Sequence, residues 1–355
     1  MRSGTGDTFS DVWSVAALDD LLSSAVRTPV VRLVADGRPI PSARYTRRVR
    51  LGGADLADVI DPAAVAAEFA QGATVVGQSL HRTRTDVGRF VSALAREVSH
   101  PIQANSYLTP AGAVGLAPHS DAHDVVVVQL DGSKRWDVDG PGEVVLSPGD
   151  VVYVPAGTRH RAESMDRPSL HLTVGILTVT RRAVVERALR DLEELDRPLP
   201  LRFGGDGGSV TDDVSGAIEA VVDHLRSLDV DEVASAERGR RLVRPPAPGA
   251  LLGVLGAADI GERSIVTRHR SWSWRTERGR IVVTCGRRRV EVPLACGDAI
   301  DALGGDRDVA VGDLPGLDAG SRVVLARRLV VEGLLVVVDL APPGACAERS
   351  RSGAM

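Results

Sequence analysis

Lysine and asparagine are almost missing from this 355-residue chain: one lysine stands among 43 basic residues, and there is one asparagine. Aromatic residues make up 3% of the sequence, so valine, leucine and alanine must fill its core. No stretch approaches the roughly 18 uncharged apolar residues of a membrane-spanning helix. The opening residues, Met1 to Asp11, lack a basic segment followed by an apolar run, so no signal peptide is expected. Three cysteines, Cys285, Cys296 and Cys346, have no metal-type spacing. They read as free thiols of a reducing, cytoplasmic setting. A formal net charge of −4 argues against bulk affinity for nucleic acid or anionic membrane.

The two rare residues fall together. Asn105-Ser106-Tyr107 and Lys134-Arg135-Trp136 bracket His119-Ser120-Asp121. His-x-Asp is two thirds of the facial triad that holds non-haem Fe(II) with open coordination positions. A single ammonium beside such a pair, in a chain that otherwise uses arginine, suggests a carboxylate to be held, and 2-oxoglutarate is the obvious candidate. The far carboxylate of that diacid needs a buried cation and polar partners to offset its desolvation. Lys134 would supply the cation, Tyr107 a hydroxyl, Asn105 an amide and Thr173 a further contact.

The third metal ligand should come from a later strand. His160 ends the run Pro155-Ala156-Gly157-Thr158-Arg159-His160, which follows the strand Val151 to Val154. His119 and Asp121, two residues apart, would face the same side of a strand. A lone His-x-Asp pair is a weak signal; the second segment is what strengthens it. His123 reads as a residue supporting the metal ligands or facing the substrate, because a fourth protein ligand would fill a position the chemistry needs. His171, on an apolar strand, reads as a core histidine.

The length predicts about two to three domains. Helical periodicity marks Asp11 to Ala25 (Ser10 a possible cap), Asp61 to Gln71 and Arg84 to Val98, with a short β-branched run at Pro29 to Leu33 and an apolar strand at Gly72 to Val76. From Gln103 the period becomes strand-like, with Asp131-Gly132 and Pro148-Gly149-Asp150 as turns, which indicates a small β-barrel. Helical period returns at Arg181 to Leu195 and Val214 to Leu228. Arg244 to Gly249 is a linker by composition. The last module has a hairpin at Ile281 to Val292, a helix at Ser321 to Glu332 and a strand at Gly333 to Val338, a winged-helix-like order. Nine arginines lie between Glu262 and Glu291 against three glutamates; a solvated face is the usual explanation, and a dock for acidic peptide or RNA the sharper one.

The motifs Asn105-x-Tyr107-x-Thr109-Pro110, His119-x-Asp121-x-x-Asp124 and Gln129-x-x-Gly132-x-Lys134-x-Trp136 resemble the JmjC-type ribosomal oxygenases, also called the cupin-4 family. Tyr153-x-Pro155-x-Gly157-x-x-His160 and Ser169 to Thr173 continue the match in order. Outside the barrel, Asp11 to Ser14, Arg197 to Pro200 and Glu332 to Leu335 are similar to the family's start, its dimerisation region and the close of its winged helix.

The resemblance implies an α+β chain. A catalytic double-stranded β-helix with N-terminal helices would occupy 1–180, a helical dimerisation segment 181–243, a winged-helix-like module 250–340 and a disordered tail 341–355. It implies a hydroxylase using Fe(II), 2-oxoglutarate and O₂, with His119, Asp121 and His160 on the metal and Lys134, Asn105, Tyr107 and Thr173 on the cosubstrate. The family acts as homodimers on arginine or histidine side chains of ribosomal proteins, and its winged helix does not imply sequence-specific DNA binding. The region before His160 is short where the family's substrate insertions vary, so a peptide natural product is an alternative substrate. Two rivals are a cupin dioxygenase that needs no cosubstrate, and a non-enzymatic binding protein.

Overall fold

A computed structural model of the chain describes residues 9–190, 192–198, 210–231, 233–234, 237, 250–269, 272–285, 288–305 and 307–338. The Arg244 to Gly249 linker, the 341–355 tail, Cys346, Leu199-Pro200 and the Gly286-Arg287 turn lie outside these residues.

The N-terminal part builds a support for the barrel. Helix α1 (Val15–Ser23) starts at Ser14, not Ser10, because the Ser14 hydroxyl accepts the Ala17 N–H at 3.2 Å. Strands β1 (Val31–Ala35) and β2 (Arg38–Pro39) follow, then the hairpin β3 (Thr46–Leu51) and β4 (Ala54–Ile60). That hairpin was not expected: β3 is arginine-rich and mostly exposed, and its register shifts between Arg47 and Val49, so no clean alternation marks it. Helix α2 (Pro62–Ala70) has Pro62 in its first turn and Asp61 as cap. Strand β5 (Thr74–Gly77) and helix α3 (Thr85–Val98) complete the support.

The barrel strands are β6 (Ile102–Thr109), β7 (Asp124–Asp131), β8 (Lys134–Val138), β9 (Gly142–Leu146), β10 (Val151–Val154), β11 (His160–Ser164) and β12 (Ser169–Ile176). Four of them join β5, β1 and β2 in an antiparallel seven-stranded sheet in the order β10-β7-β12-β6-β5-β1-β2, and the other three form the sheet β11-β8-β9. Alternation on β6 and β12 divides two environments. Ile102, Ala104, Leu170, Leu172 and Val174 join the core beneath α1 to α3. Asn105, Tyr107, Thr109, His171 and Thr173 line a cavity on the opposite face. Val125, Val127, Trp136, Val138, Leu146 and Val154 fill the rest of the space between the sheets.

Beyond the barrel come α4 (Arg181–Ala188), shorter than its periodicity suggested, and α5 (Val210–Ser227). The C-terminal part has a core of its own around Val266, Ile281, Ala299, Leu329 and Leu335. It comprises one sheet of Val309–Ala310, Ile265–Arg268 and Leu335–Val337, a second of Ser273–Glu277, Arg280–Cys285 and Arg288–Pro293, and helices at Gly297–Gly304 and Ala319–Val331. Much of its arginine cluster is neutralised internally. Arg275 and Arg289 clasp Glu277, Arg280 meets Glu291 at 3.6 Å, and buried Arg268 donates to the Gly304 carbonyl at 2.6 Å.

Candidate active site

His119 and Asp121 do not lie within a strand. They sit on the segment that enters β7, and His119 forms an isolated antiparallel bridge with His160, the first residue of β11. The two residues exchange both backbone bonds, His119 N–H to His160 O at 3.1 Å and His160 N–H to His119 O at 2.9 Å. Asp121 accepts the Gly157 N–H through its carbonyl at 2.8 Å, and Asp124 accepts the Ala156 N–H through Oδ1 at 2.8 Å. The two motifs, distant in sequence, are therefore joined through backbone at the mouth of the barrel.

The side chains converge. His119 Nε2 lies 3.9 Å and His160 Nε2 3.6 Å from Asp121 Oδ2. One donor atom from each of the three lies within 4.8 Å of the others, and these form the candidate metal cluster among the described residues. His119 Nδ1 faces the Ala117 carbonyl at 2.8 Å, and His160 Nδ1 faces the Thr158 carbonyl at 3.0 Å. A carbonyl can only accept, so each Nδ1 carries a hydrogen, and Nε2 is the nitrogen of each ring that faces Asp121. Two imidazoles and one carboxylate on one side of a cavity fit a divalent metal with open positions.

Lys134 opens β8 and is 2% exposed. Its ammonium donates to Thr109 Oγ1 at 2.8 Å and lies 3.5 Å from His171 Nδ1. Among the described residues no carboxylate pairs with it, and burial brings its pKa down to about 7. Burial, reinforced by the Lys134 charge, holds the His171 ring neutral. A cavity of about 170 Å³ is lined by Lys134, Asn105, Tyr107, Thr109, His171 and Thr173 together with the three metal-type residues. The Trp136 indole N–H, buried on the same cavity, has no acceptor among the described residues. An unpaired cation and an unpaired donor beside a metal-type cluster fit a bound anion.

Each expected site residue thus has a place on this cavity. Thr173 lies opposite Asn105 across β12 and β6, and Asn105 Oδ1 accepts the Ser79 N–H at 2.8 Å, which leaves its NH₂ as a donor. The Tyr107 ring stacks on His171 with centroids 5.0 Å apart, and its hydroxyl is hydrogen-bonded to Arg32. The hydroxyl in contact with Lys134 is that of Thr109. Three contributors went unread in the sequence: Thr109, Arg32 and His171, which borders the cavity instead of the apolar core. Thr109 and His171 were accessible in principle, since each stands two residues from an expected site residue on the same strand face.

Gln129 and Gly132 explain the turn before Lys134. The buried Gln129 amide donates to Asp131 O at 2.8 Å and Ser169 Oγ at 2.8 Å. Gly132 has φ +59°, and a Cβ there would fall 2.0 Å from the Pro168 carbonyl oxygen. Glycine is required here by both conformation and space.

An antiparallel double-stranded β-helix with a His-Asp-His cluster at its mouth defines a cupin-type fold. Residues 80–143 and 139–184 match the JmjC domain. Ribosomal oxygenase 1 of Gallus gallus is 32% identical over 179 residues, 41% of this chain and 30% of that protein. The bifunctional lysine-specific demethylase and histidyl-hydroxylase NO66 of Branchiostoma floridae is 43% identical over 91 residues, 25% of this chain and 15% of that protein. The chain therefore spans less than a third of the length of these two relatives. The structure of YcfD, a ribosomal oxygenase from Escherichia coli, in complex with cobalt and 2-oxoglutarate superposes with a TM-score of 0.54 over 93% of this chain and 91% of that one, at 16% identity. Residues 80–184 thus match the JmjC domain, and the chain is similar in sequence to ribosomal oxygenases and in fold to YcfD.

Proposed function

We propose that this protein is an Fe(II)- and 2-oxoglutarate-dependent oxygenase that hydroxylates an arginine- or histidine-type side chain in a ribosomal protein or peptide. The observation that carries the reading is Lys134, a buried ammonium with no carboxylate partner among the described residues, on the same cavity as the metal-type cluster. His119, Asp121 and His160 would hold the metal. When bound, Fe(II) supplies the chemistry that couples O₂ reduction and 2-oxoglutarate decarboxylation to C–H hydroxylation.

The protein's own groups do the positioning. The Nδ1 contacts to Ala117 and Thr158 orient both imidazoles, so neither ring must rotate to accept a metal. Lys134 and Thr109 would take the far carboxylate of the diacid, with Asn105, Tyr107 and Thr173 along the same wall. Trp136, 5.9 Å from the His160 ring between centroids, packs against that ligand and keeps water from its side. A dioxygenase without cosubstrate has no use for Lys134 in this position.

Around this domain, proposed as 1–180, we place a dimerisation segment at 181–243 and a winged-helix-like module at 250–340. Exposed Val214, Ile218 and Val222 recur every four residues along α5, as a helix partnering a second copy would require. We place the protein in the cytoplasm, on the reading of Cys285 and Cys296 as free thiols.

The test is to incubate anaerobically purified protein with Fe(II) and 2-oxoglutarate, admit O₂, and measure succinate together with products heavier by one oxygen atom among ribosomal proteins and peptides of the same cell. A His119→Ala protein that consumed 2-oxoglutarate at the wild-type rate would remove the basis for the proposal.

A further inference from the structure

We propose that His123 and Gln103 form the substrate-reading edge of the cavity, and that the side chain they read carries both an N–H donor and an acceptor, as an amide or a neutral imidazole does. This rests on the oxygenase reading above and goes further, by naming the residues that select the substrate.

His123 is two residues from Asp121 but stands outside the metal-type cluster. Its ring lies on one row of the large sheet, where Gln103 of β6 faces Gly175 of β12 and Gly175 faces Val125 of β7. A Cβ at position 175 would fall 2.6 Å from His123 Nε2 and 2.8 Å from His123 Cδ2. Gly175 is not among the residues with positive φ, so the backbone does not call for glycine. A mid-strand glycine weakens the strand and often marks a close approach. Here what approaches is the His123 ring, and the glycine makes room for it over the inner face of β12.

The ring is also tied sideways, with Nε2 3.4 Å from Gln103 Nε2. Whichever way the amide is turned, this single contact leaves one amide group and the second ring nitrogen unspent among the described residues. Both residues line the cavity. Lys134 marks its other end: the Thr109 that it binds is six residues from Gln103 on β6, about 20 Å along the strand. The diacid and the His123 edge therefore occupy different ends.

An aliphatic side chain at the His123 edge would strand two polar groups, and sites built on hydrogen bonds reject ligands that cannot make them. The contact uses one donor and one acceptor, so one of each is left; a carboxylate, all acceptor, and a guanidinium, all donor, would each leave one unmet. Amide and neutral imidazole groups carry both.

The test uses the whole protein loaded with Zn(II) and 2-oxoglutarate under argon, so that no turnover occurs. Capped tripeptides Ac-Gly-Xaa-Gly-NH₂, with Xaa arginine, histidine, glutamine, glutamate or norleucine, are titrated while the His123 ring signals are followed by NMR. We expect the histidine or the glutamine peptide to move those signals and to bind at least fivefold tighter than the norleucine, glutamate and arginine peptides. His123→Phe and Gly175→Ala, each verified for metal and 2-oxoglutarate loading, should abolish that preference. Gly175→Ala is the cleaner probe, because the atoms it meets are the end of a movable side chain. Equal binding of norleucine, glutamate or arginine, a preference that survives both variants, or His123 signals unmoved by every peptide would overturn the proposal. A wild-type protein that loads neither Zn(II) nor 2-oxoglutarate would overturn the oxygenase reading and this one with it, and the loading step tells the two failures apart.

Discussion

At the level of single residues, Lys134 bears the largest consequences. A hydrogen bond to a charged group contributes about 1.5–3 kcal/mol. Lys134→Met should therefore weaken 2-oxoglutarate binding about 10- to 150-fold, read by calorimetry on the Zn(II)-loaded protein. The same substitution should leave the ligand-free protein at least as stable to urea, since it removes an uncompensated buried charge. The pH dependence has a definite sign. The Lys134 pKa falls from 10.5 to about 7 in the folded state. Between those values the unfolded chain holds a proton that the folded chain lacks, so ligand-free stability should rise with pH across that window and be independent of Lys134 below it. Ligand binding should run the other way. Above about pH 7 the dianion must bring a proton to Lys134, so its affinity should drop by up to tenfold per pH unit. Calorimetry and urea titrations between pH 6 and 9 check the two slopes.

Secondary-structure elements explain why the motifs have the spacing they do. The β7–β8 hairpin delivers Lys134 to the cavity because Gly132 fits against Pro168. Gly132→Ala should cost about 2–4 kcal/mol, by backbone strain and collision, and weaken 2-oxoglutarate binding as well. Chemical denaturation and calorimetry report both effects. Asp124 would act on a bound metal at one remove, by holding the turn that leads to His160. Outer partners of metal ligands are worth about 10- to 100-fold in affinity, so Asp124→Ala should weaken Co(II) binding by about tenfold, visible in the cobalt absorption spectrum. The sequence made His119, Asp121, His160 and Lys134 conspicuous because their chemistry requires those residue types. It did not show that His119 is paired with His160 through backbone, nor that His123 rests on Gly175. Those facts depend on which rows of two sheets meet, and no local pattern carries that. The Thr46–Ile60 hairpin was illegible for a different reason: its strands are mostly exposed, and apolar alternation is the trace that burial leaves.

For the molecule as a whole, helices and strands with one clearly buried face were readable, and the irregular connections were not. Among the described residues the buried side chains form three cores, two around the barrel and one in the C-terminal part. The proposed dimer gives a test at this scale. Val214, Ile218 and Val222 are exposed on α5, so Ile218→Asp should convert a dimer into a monomer in light scattering coupled to size exclusion, while thermal stability of the barrel changes little. A wild-type protein that eluted as a monomer at micromolar concentration would remove the role assigned to that helix.

The reciprocal peptide bonds between His119 and His160 have one last consequence. They set the spacing of the two imidazoles before any cation arrives, so the holder is assembled by folding rather than by metal. Treatment with a chelator should therefore strip the protein without melting it, and the emptied protein should refill as fast as ions diffuse in. Small metallo-domains whose ligands are gathered only by the ion behave otherwise, because there binding and folding are one event.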